Sequence, residues 1–344
     1  MLYATTRNNQ DSYTAQRVLQ ERRAPDGGFF VPFRIPVFSE TEIVSFAEKS
    51  FNKCIAEILN LLFHSKLTSF DIDFTVGRYA VRLEMLNQRL VMAECWHNPQ
   101  WQFERLVKDL VRLIRQNENT GCDSGDWAEI AVRIAVLFGI FGELMRQGFA
   151  AVGKTVDISV LGGNFSAPMS AWYARTMGLP IGNIVCSCNE NSNLWGFICH
   201  GQLKTDGVAA STCIPEADIA MPAGIERLIY ACGGCDEVEQ YLDAVRQGKP
   251  YYADEKILQR LRSGIYVTVT SQQRVLETIP NVYTTHDYIL ALSSALNYIG
   301  LQDYRARTGE CRNALILTEK SPRVDGTIVA EVLGFTQKTL EKLL

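Results

Sequence analysis

Residues 94 to 114 read ECWHNPQWQFERLVKDLVRLI, a polar and aromatic turn that runs into a segment with helical spacing. A chain presents a reactive group in this way, at the positive end of a helix dipole where a histidine or a carboxylate can move protons. Glu94, His97 and Glu104 are the acid and base candidates, with Lys108 four residues beyond Glu104. A second stretch, VLGGNFSAPMS, sets Gly162, Gly163, Asn164, Phe165 and Ser166 between a strand end and a helix start. The N–H groups of such a turn, added to the helix dipole, make a site for a phosphate. A tight structural turn is the competing reading. Cys232 and Cys235 form a C-x-x-C around two glycines, without a second pair or a histidine close in sequence. That pattern argues for small apolar side chains beside a glycine-stopped helix, and no metal is expected. Cys186 and Cys188, on either side of Ser187, read as packing positions in a strand.

The elements that would hold these residues can be read from periodicity. VDISVL from Val156 is a β-branched strand, MSAWYARTMGL is a helix ending at Gly178, and NIVCSC is a second strand. Strand, helix and strand over that distance form a βαβ unit, hence a parallel sheet and an α/β class. GIYVTVTSQQRVLETI supplies another strand and helix joined by a Thr270–Gln273 capping box, and NALILT a strand near the C-terminus. IAVRIAVLFGIFGELM from Ile130 reads as a buried core helix interrupted by Arg133 and Glu143. Nearer the N-terminus, a polar helix spans about Ser12 to Arg22, and FFVPFRIP is extended. A helix from Glu40 to about Phe63 opens on a Ser39–Glu42 capping box.

A chain of 344 residues with 47% hydrophobic and 21% charged residues is long enough for a substantial core and about two domains. Its net charge of −4 recruits neither nucleic acid nor an anionic membrane. The polar start MLYATTRNNQDSY is unlike a signal peptide, and no run reaches the ~18 apolar residues of a membrane span. Ten cysteines in that setting are expected as reduced thiols, and the protein in the cytoplasm.

Together these stretches resemble threonine synthase, a pyridoxal-phosphate enzyme of the tryptophan synthase β-subunit fold. The likeness begins with YATTR and continues through APDGGFFVP, similar to the family's "DGGLYVPE". SGDWAEI (Ser124 to Ile130) is similar to "SINWARI", GGNFSAPMSAWYARTMGLPI to "GNFGDILAGYYAKKMGLPI", and PEADIAMPAGIERLIY to "SMDISVPSNFERLLF". The resemblance implies an α/β fold type II core with a parallel sheet over residues 76–344, preceded by an N-terminal threonine-synthase-type domain over 1–75. It implies Gly162 to Ser166 around the cofactor's phosphate and Thr318 facing its pyridine nitrogen. Asn189 and Asn191 match the family's "TNEND" turn, and His286 its "PHTAV" histidine.

The opening stretch departs from the family where it matters most. ECWHNPQWQFER matches "ELFHGPTLAFKD" at Glu94, His97, Pro99 and Phe103, but the imine-forming lysine is replaced by Glu104. Glutamate accepts protons and cannot form an imine, and it adds negative charge where a phosphorylated substrate would sit. Lys108 lies one turn further, ~5.4 Å along the axis. Between Arg115 and Ser124 stands only QNENTGCD, where the family carries a block with a substrate-binding segment. The small domain is therefore expected to be largely deleted, with an apolar sheet face bared for a partner or a second copy to cover, and the helix from Ile130 is a candidate for that contact beside its reading as a buried core helix. The expected protein is a non-catalytic homologue that binds a phosphate-bearing small molecule or a protein partner, with pyridoxal phosphate binding doubtful. The alternatives are a threonine synthase-type lyase acting on O-phosphohomoserine through another lysine, or altered acid–base chemistry by Glu94, His97 and Glu104.

Overall fold

A computed structural model describes residues 1–77, 81–96, 102–116 and 125–344. The chain opens with β1 (Leu2–Thr5), β2 (Tyr13–Thr14), α1 (Ala15–Gln20) and β3 (Phe30–Pro32). β1 is central in a small antiparallel sheet, β2-β1-β3, and Pro32 falls on an edge strand, where a missing N–H is tolerated. The first helix is shorter than its polar pattern suggests, because Tyr13 and Thr14 pair with β1 and Thr14 then caps α1.

The long helix expected from Glu40 is three pieces: α2 (Glu40–Ser45), a 3-10 turn (Phe46–Glu48) and α3 (Phe51–Phe63). Its Ser39–Glu42 capping box is present, but Lys49 is extended and Ser50 caps a new helix by accepting from the Lys53 N–H. There follow α4 (Ser69–Val76), β4 (Arg82–Asn87), β5 (Leu90–Glu94), α5 (Phe103–Arg115) and α6 (Trp127–Arg146). β6 (Val156–Leu161), α7 (Ser166–Thr176) and β7 (Ile181–Asn189) form the expected parallel βαβ unit.

The remainder comprises α8 (Leu194–His200), β8 (Gln202–Leu203), α9 (Ile225–Arg246), β9 (Tyr251–Tyr252), α10 (Glu255–Arg262), β10 (Ile265–Thr270), α11 (Gln272–His286), α12 (Leu292–Thr308), β11 (Ala314–Thr318), α13 (Gly326–Leu333) and α14 (Gln337–Leu343). One local expectation changes here: Ser271 rather than Thr270 caps α11, accepting from the Arg274 N–H. The stop expected at the glycine pair is present, because Gly234, with φ 79° and ψ −166°, leaves the helical region and divides α9 into two helices at a kink.

The main sheet runs β10-β7-β6-β11-β5-β4, parallel except for the β4 edge. Alternate residues of one strand serve opposite faces. Val91 and Ala93 of β5 join the core beneath α5, α6 and α7, whereas Leu90 and Met92 join the core beneath α11, α12 and α13. α12 lies close against β7 because Gly300 has no side chain to strike Ser187. Both faces of the described sheet are thus covered by helices, and the bared apolar face expected from the deletion is not seen. α6 is buried along its length apart from Arg133 and three residues near its end, so it offers no contact surface. The exposed aromatics lie elsewhere, with Phe70 and Phe74 one turn apart on α4.

A candidate chamber at the ends of the strands

A buried ion pair holds the end of α5 to the start of α6. Arg115, at the end of α5, donates to Asp126, the N-cap of α6, and both side chains are at most 2% exposed. Burial holds the Asp126 carboxyl above its ordinary value despite the neighbouring Arg115 guanidinium. The N-terminal halves of α5 and α6 stand by the C-terminal ends of β6 and β11.

Between them, β6, β11 and the start of α12 lies a chamber of about 350 Å³. Such a position, beyond the carboxyl ends of parallel strands, is where α/β folds hold ligands. Its lining contains four carboxylates, Glu104, Glu129, Glu216 and Glu319, and three cations, Lys108, Arg133 and Lys320. Each cation is paired within the chamber. Lys108 meets Glu104 at 2.7 Å, Arg133 meets Glu129 at 3.0 Å and Glu319 at 2.7 Å, and Lys320 meets Glu216 at 2.8 Å. Burial acts to lower the Arg133 basicity, but Glu319 and Glu129 outweigh it and hold the guanidinium charged.

Glu104 sits in the first turn of α5, where a negative charge suits the helix dipole, and its partner Lys108 follows in the favourable order. Their side chains are 67% and 45% exposed, so the pair is a solvated one at the chamber's mouth. Glu94 is not their neighbour. It is buried at the end of β5, accepts from the Tyr288 hydroxyl at 3.0 Å, and lines a different cavity of about 510 Å³ beside Arg82 and Trp96. His97 and Pro99 lie outside the described residues.

The glycine turn contributes only Gly163 and Asn164 to the lining. Gly162 donates its N–H to the Ser187 carbonyl at 2.7 Å, Phe165 to Gly162 at 2.7 Å, and Ser166 to Asn164 Oδ1 at 2.9 Å. The Ser166 hydroxyl donates to Glu129 at 3.2 Å. Gly163 has φ +39°, and a Cβ there would meet the Glu216 carbonyl oxygen at 2.9 Å, so that oxygen stands directly over the turn. Thr318 is buried outside the lining, its hydroxyl donating to the Ala93 carbonyl at 2.9 Å and accepting from Trp96 at 3.1 Å. Asn189 and Asn191 both donate to Asp218, at 2.7 and 2.9 Å, which makes theirs a structural turn. His286, at the end of α11, lines neither cavity.

Sequence reasoning missed Glu129, Asn297 and Glu319, all on the lining. One signal was available: Glu129 and Arg133 are charges one turn apart at the head of a largely apolar helix, where an unpaired charge would not survive burial. Glu129 also stands where "SINWARI" has arginine.

Comparison with known proteins agrees with the fold. The family profile described as "Threonine synthase N terminus" matches residues 2–78. Threonine synthase of Pseudomonas aeruginosa is 27% identical over 409 aligned positions that cover 92% of this chain and 86% of that protein. The chain is threonine synthase-like. Since 92% of 344 residues is about 316, about 93 of those 409 positions fall opposite gaps in this chain. Human threonine synthase-like 1 is 25% identical over 174 residues, covering 50% of this chain and 23% of that much longer protein. Among solved structures, pyridoxal-phosphate-bound threonine synthase from Brucella melitensis superposes with a TM-score of 0.85 at 18% identity, over 97% of this chain and 91% of that one. The yeast enzyme gives 0.82 at 17%, over 99% and 93%. These likenesses establish the α/β fold of the pyridoxal-phosphate threonine synthases.

The chamber's residues do not fit that cofactor. No lysine stands at the Glu104 position, and the N–H groups of Gly162, Phe165 and Ser166 are bonded within the protein. The Thr318 hydroxyl is occupied and outside the lining, and the Glu129 carboxylate and the Glu216 backbone carbonyl flank the turn that would receive a phosphate. Among the described residues no cluster could hold a metal ion, and no helix is long and apolar enough to cross a membrane.

Proposed function

We propose that this chain is a non-catalytic, threonine synthase-like protein whose chamber binds a small ligand without forming a covalent bond to it. The observation that carries the reading is the ion pair of Glu104 with Lys108 at 2.7 Å. Glu104 replaces the residue that would form the imine. The nearest substitute, Lys108, is turned onto that carboxylate, and Lys320, the other lysine of the lining, is held by Glu216. An imine-forming amine must reach a carbonyl carbon, and each of these points to a carboxylate instead.

The test is turnover. With pyridoxal phosphate and O-phosphohomoserine, phosphate release is expected to stay at the rate without protein. Release that depends on the protein and saturates with substrate would overturn the reading in favour of a lyase.

Division into an N-terminal domain over 1–75 and a core over 76–344, and residence in the cytoplasm, belong to the same proposal; free thiols at all described cysteines support the latter. Association with a protein partner or a second copy is also proposed, supported by the exposed pair Phe70 and Phe74. Light scattering on the purified chain tests self-association, with a dimer mass expected and a strict monomer counting against a second copy.

A further inference from the structure

We propose that the second cavity, the one beside Glu94, is a binding site for a free aromatic α-amino acid, an inference independent of what the chamber holds. The cavity, of about 510 Å³, lies at the β4 edge of the sheet beyond the carboxyl end of β5, and its size is that of a small-molecule site. Its walls include Trp96, Tyr283 and Tyr288. The polar tips of two of these are already engaged. The Trp96 indole N–H donates to the Thr318 hydroxyl at 3.1 Å, and the Tyr288 hydroxyl donates to Glu94 at 3.0 Å. The Tyr283 ring is braced against Phe335 in a near-perpendicular contact, with centroids 5.5 Å apart and planes at 89°. What these side chains have left to offer is ring surface held in place, and that favours a flat aromatic body on the ligand.

The charges of the lining select the rest of the ligand. Arg82 lies 2.8 Å from Glu84 and 3.8 Å from Glu94, so these three answer one another. Two charges of opposite sign remain. Arg323 is exposed, and its guanidinium meets the Glu341 backbone carbonyl at 3.4 Å and no carboxylate among the described residues. Asp287 caps α11 in a left-handed conformation, and its exposed carboxylate has no cation or hydrogen-bond donor against it among the described residues. One free guanidinium suits one carboxylate, which it can grip through two N–H groups, and one free carboxylate suits one ammonium. An α-amino acid carries both groups and no net charge. A phosphate ester would instead bring two negative charges to a lining with three carboxylates and that one free guanidinium.

The experiment is a titration of the full chain followed by protein NMR. The probes are L-phenylalanine, 3-phenylpropanoate, which lacks the ammonium, 2-phenylethylammonium, which lacks the carboxylate, and L-alanine, which lacks the ring. Saturable shifts are expected with L-phenylalanine, and binding at least about tenfold weaker with each of the other three. Two substitutions of exposed residues, neither of which disturbs the core, separate the two ends of the ligand. Arg323→Gln should weaken L-phenylalanine about tenfold and leave 2-phenylethylammonium unchanged. Asp287→Asn, which keeps a residue tolerant of the left-handed cap, should weaken L-phenylalanine about as much and leave 3-phenylpropanoate unchanged. No saturation by L-phenylalanine, an analogue that binds as tightly as it does, or L-phenylalanine affinity that neither substitution alters would each overturn the inference.

Discussion

At the seam between the N-terminal sheet and α9, residues of the YATTR and GIERL stretches close on one another. Glu226 of α9 accepts from the Thr6 hydroxyl and from two nitrogens of Arg7 at 3.2 and 3.1 Å. The Tyr3 hydroxyl reaches the Leu62 carbonyl at 2.5 Å, and the wholly buried Arg227 donates to the Phe30 and Gly125 carbonyls while lying over the Phe29 ring. At the mouth of the chamber, by contrast, Glu104 and Lys108 hold each other in solvent, with both side chains largely exposed. The seam keeps residues similar to the threonine synthase motifs and the chamber mouth does not. The difference teaches that these motifs divide by physical role: those that join one part of the chain to another persist with the fold, and those that serve chemistry can change without disturbing it.

That comparison can be broken at several points, the first being the ion pair between α5 and α6. Arg115→Met would leave Asp126 buried without its cation and should destabilise the chain by about 3–5 kcal/mol in urea unfolding. A loss under 1 kcal/mol, measured the same way, would mean the pair does not hold the connection. At the seam, Glu226→Gln keeps the shape but exchanges a charged acceptor for an amide. It should lower stability by about 1–3 kcal/mol, and a neutral result would remove the seam's claim to be structural.

Glu94 gives a smaller, pH-dependent effect. Burial raises its carboxyl above the ordinary value, while the Tyr288 hydroxyl pulls the other way. The folded chain therefore holds this proton more tightly than the unfolded chain does. The stability so contributed is fully present below the ordinary carboxylate range and is lost as pH rises through the raised value. Glu94→Gln should remove that decline, so the variant gains on the parent between acid and neutral pH; parallel stability curves would contradict the assignment. Smallest of all, Glu104→Ala should change stability by no more than about 0.5 kcal/mol, since it removes one exposed helix pair. A larger loss would make Glu104 part of the scaffold.

Much of the fold was legible in the sequence because it depends on neighbours along the chain. The β6–α7–β7 unit, the Ser39–Glu42 box and the buried α6 all follow from local period and capping, and they stand where the residues indicate. The breaks were harder. Lys49 and Ser50 interrupt an unbroken apolar pattern because a serine cap competes with helix continuation, and periodicity alone does not register that competition.

The chamber was legible only in part. Glu104 was found from the motif it alters, whereas Asn297 and Glu319 come from α12 and the end of β11, about two hundred residues away in sequence. Nothing in their local pattern marks them, since their role arises from the sheet order that brings β11 beside β6. Thr318 and Ser166 show the converse: position in a motif suggested ligand contacts, and bonds to Ala93 and Glu129 occupy their hydroxyls instead.

The most direct measurement is reductive trapping. Purified protein is mixed with pyridoxal phosphate, reduced with borohydride, and followed by intact and peptide mass spectrometry. The ion-paired lysines predict no stoichiometric adduct, only scattered low-level labelling of surface lysines. A stoichiometric adduct on one lysine, Lys108 or Lys320 above all, would contradict the account and identify the residue that has taken over the chemistry.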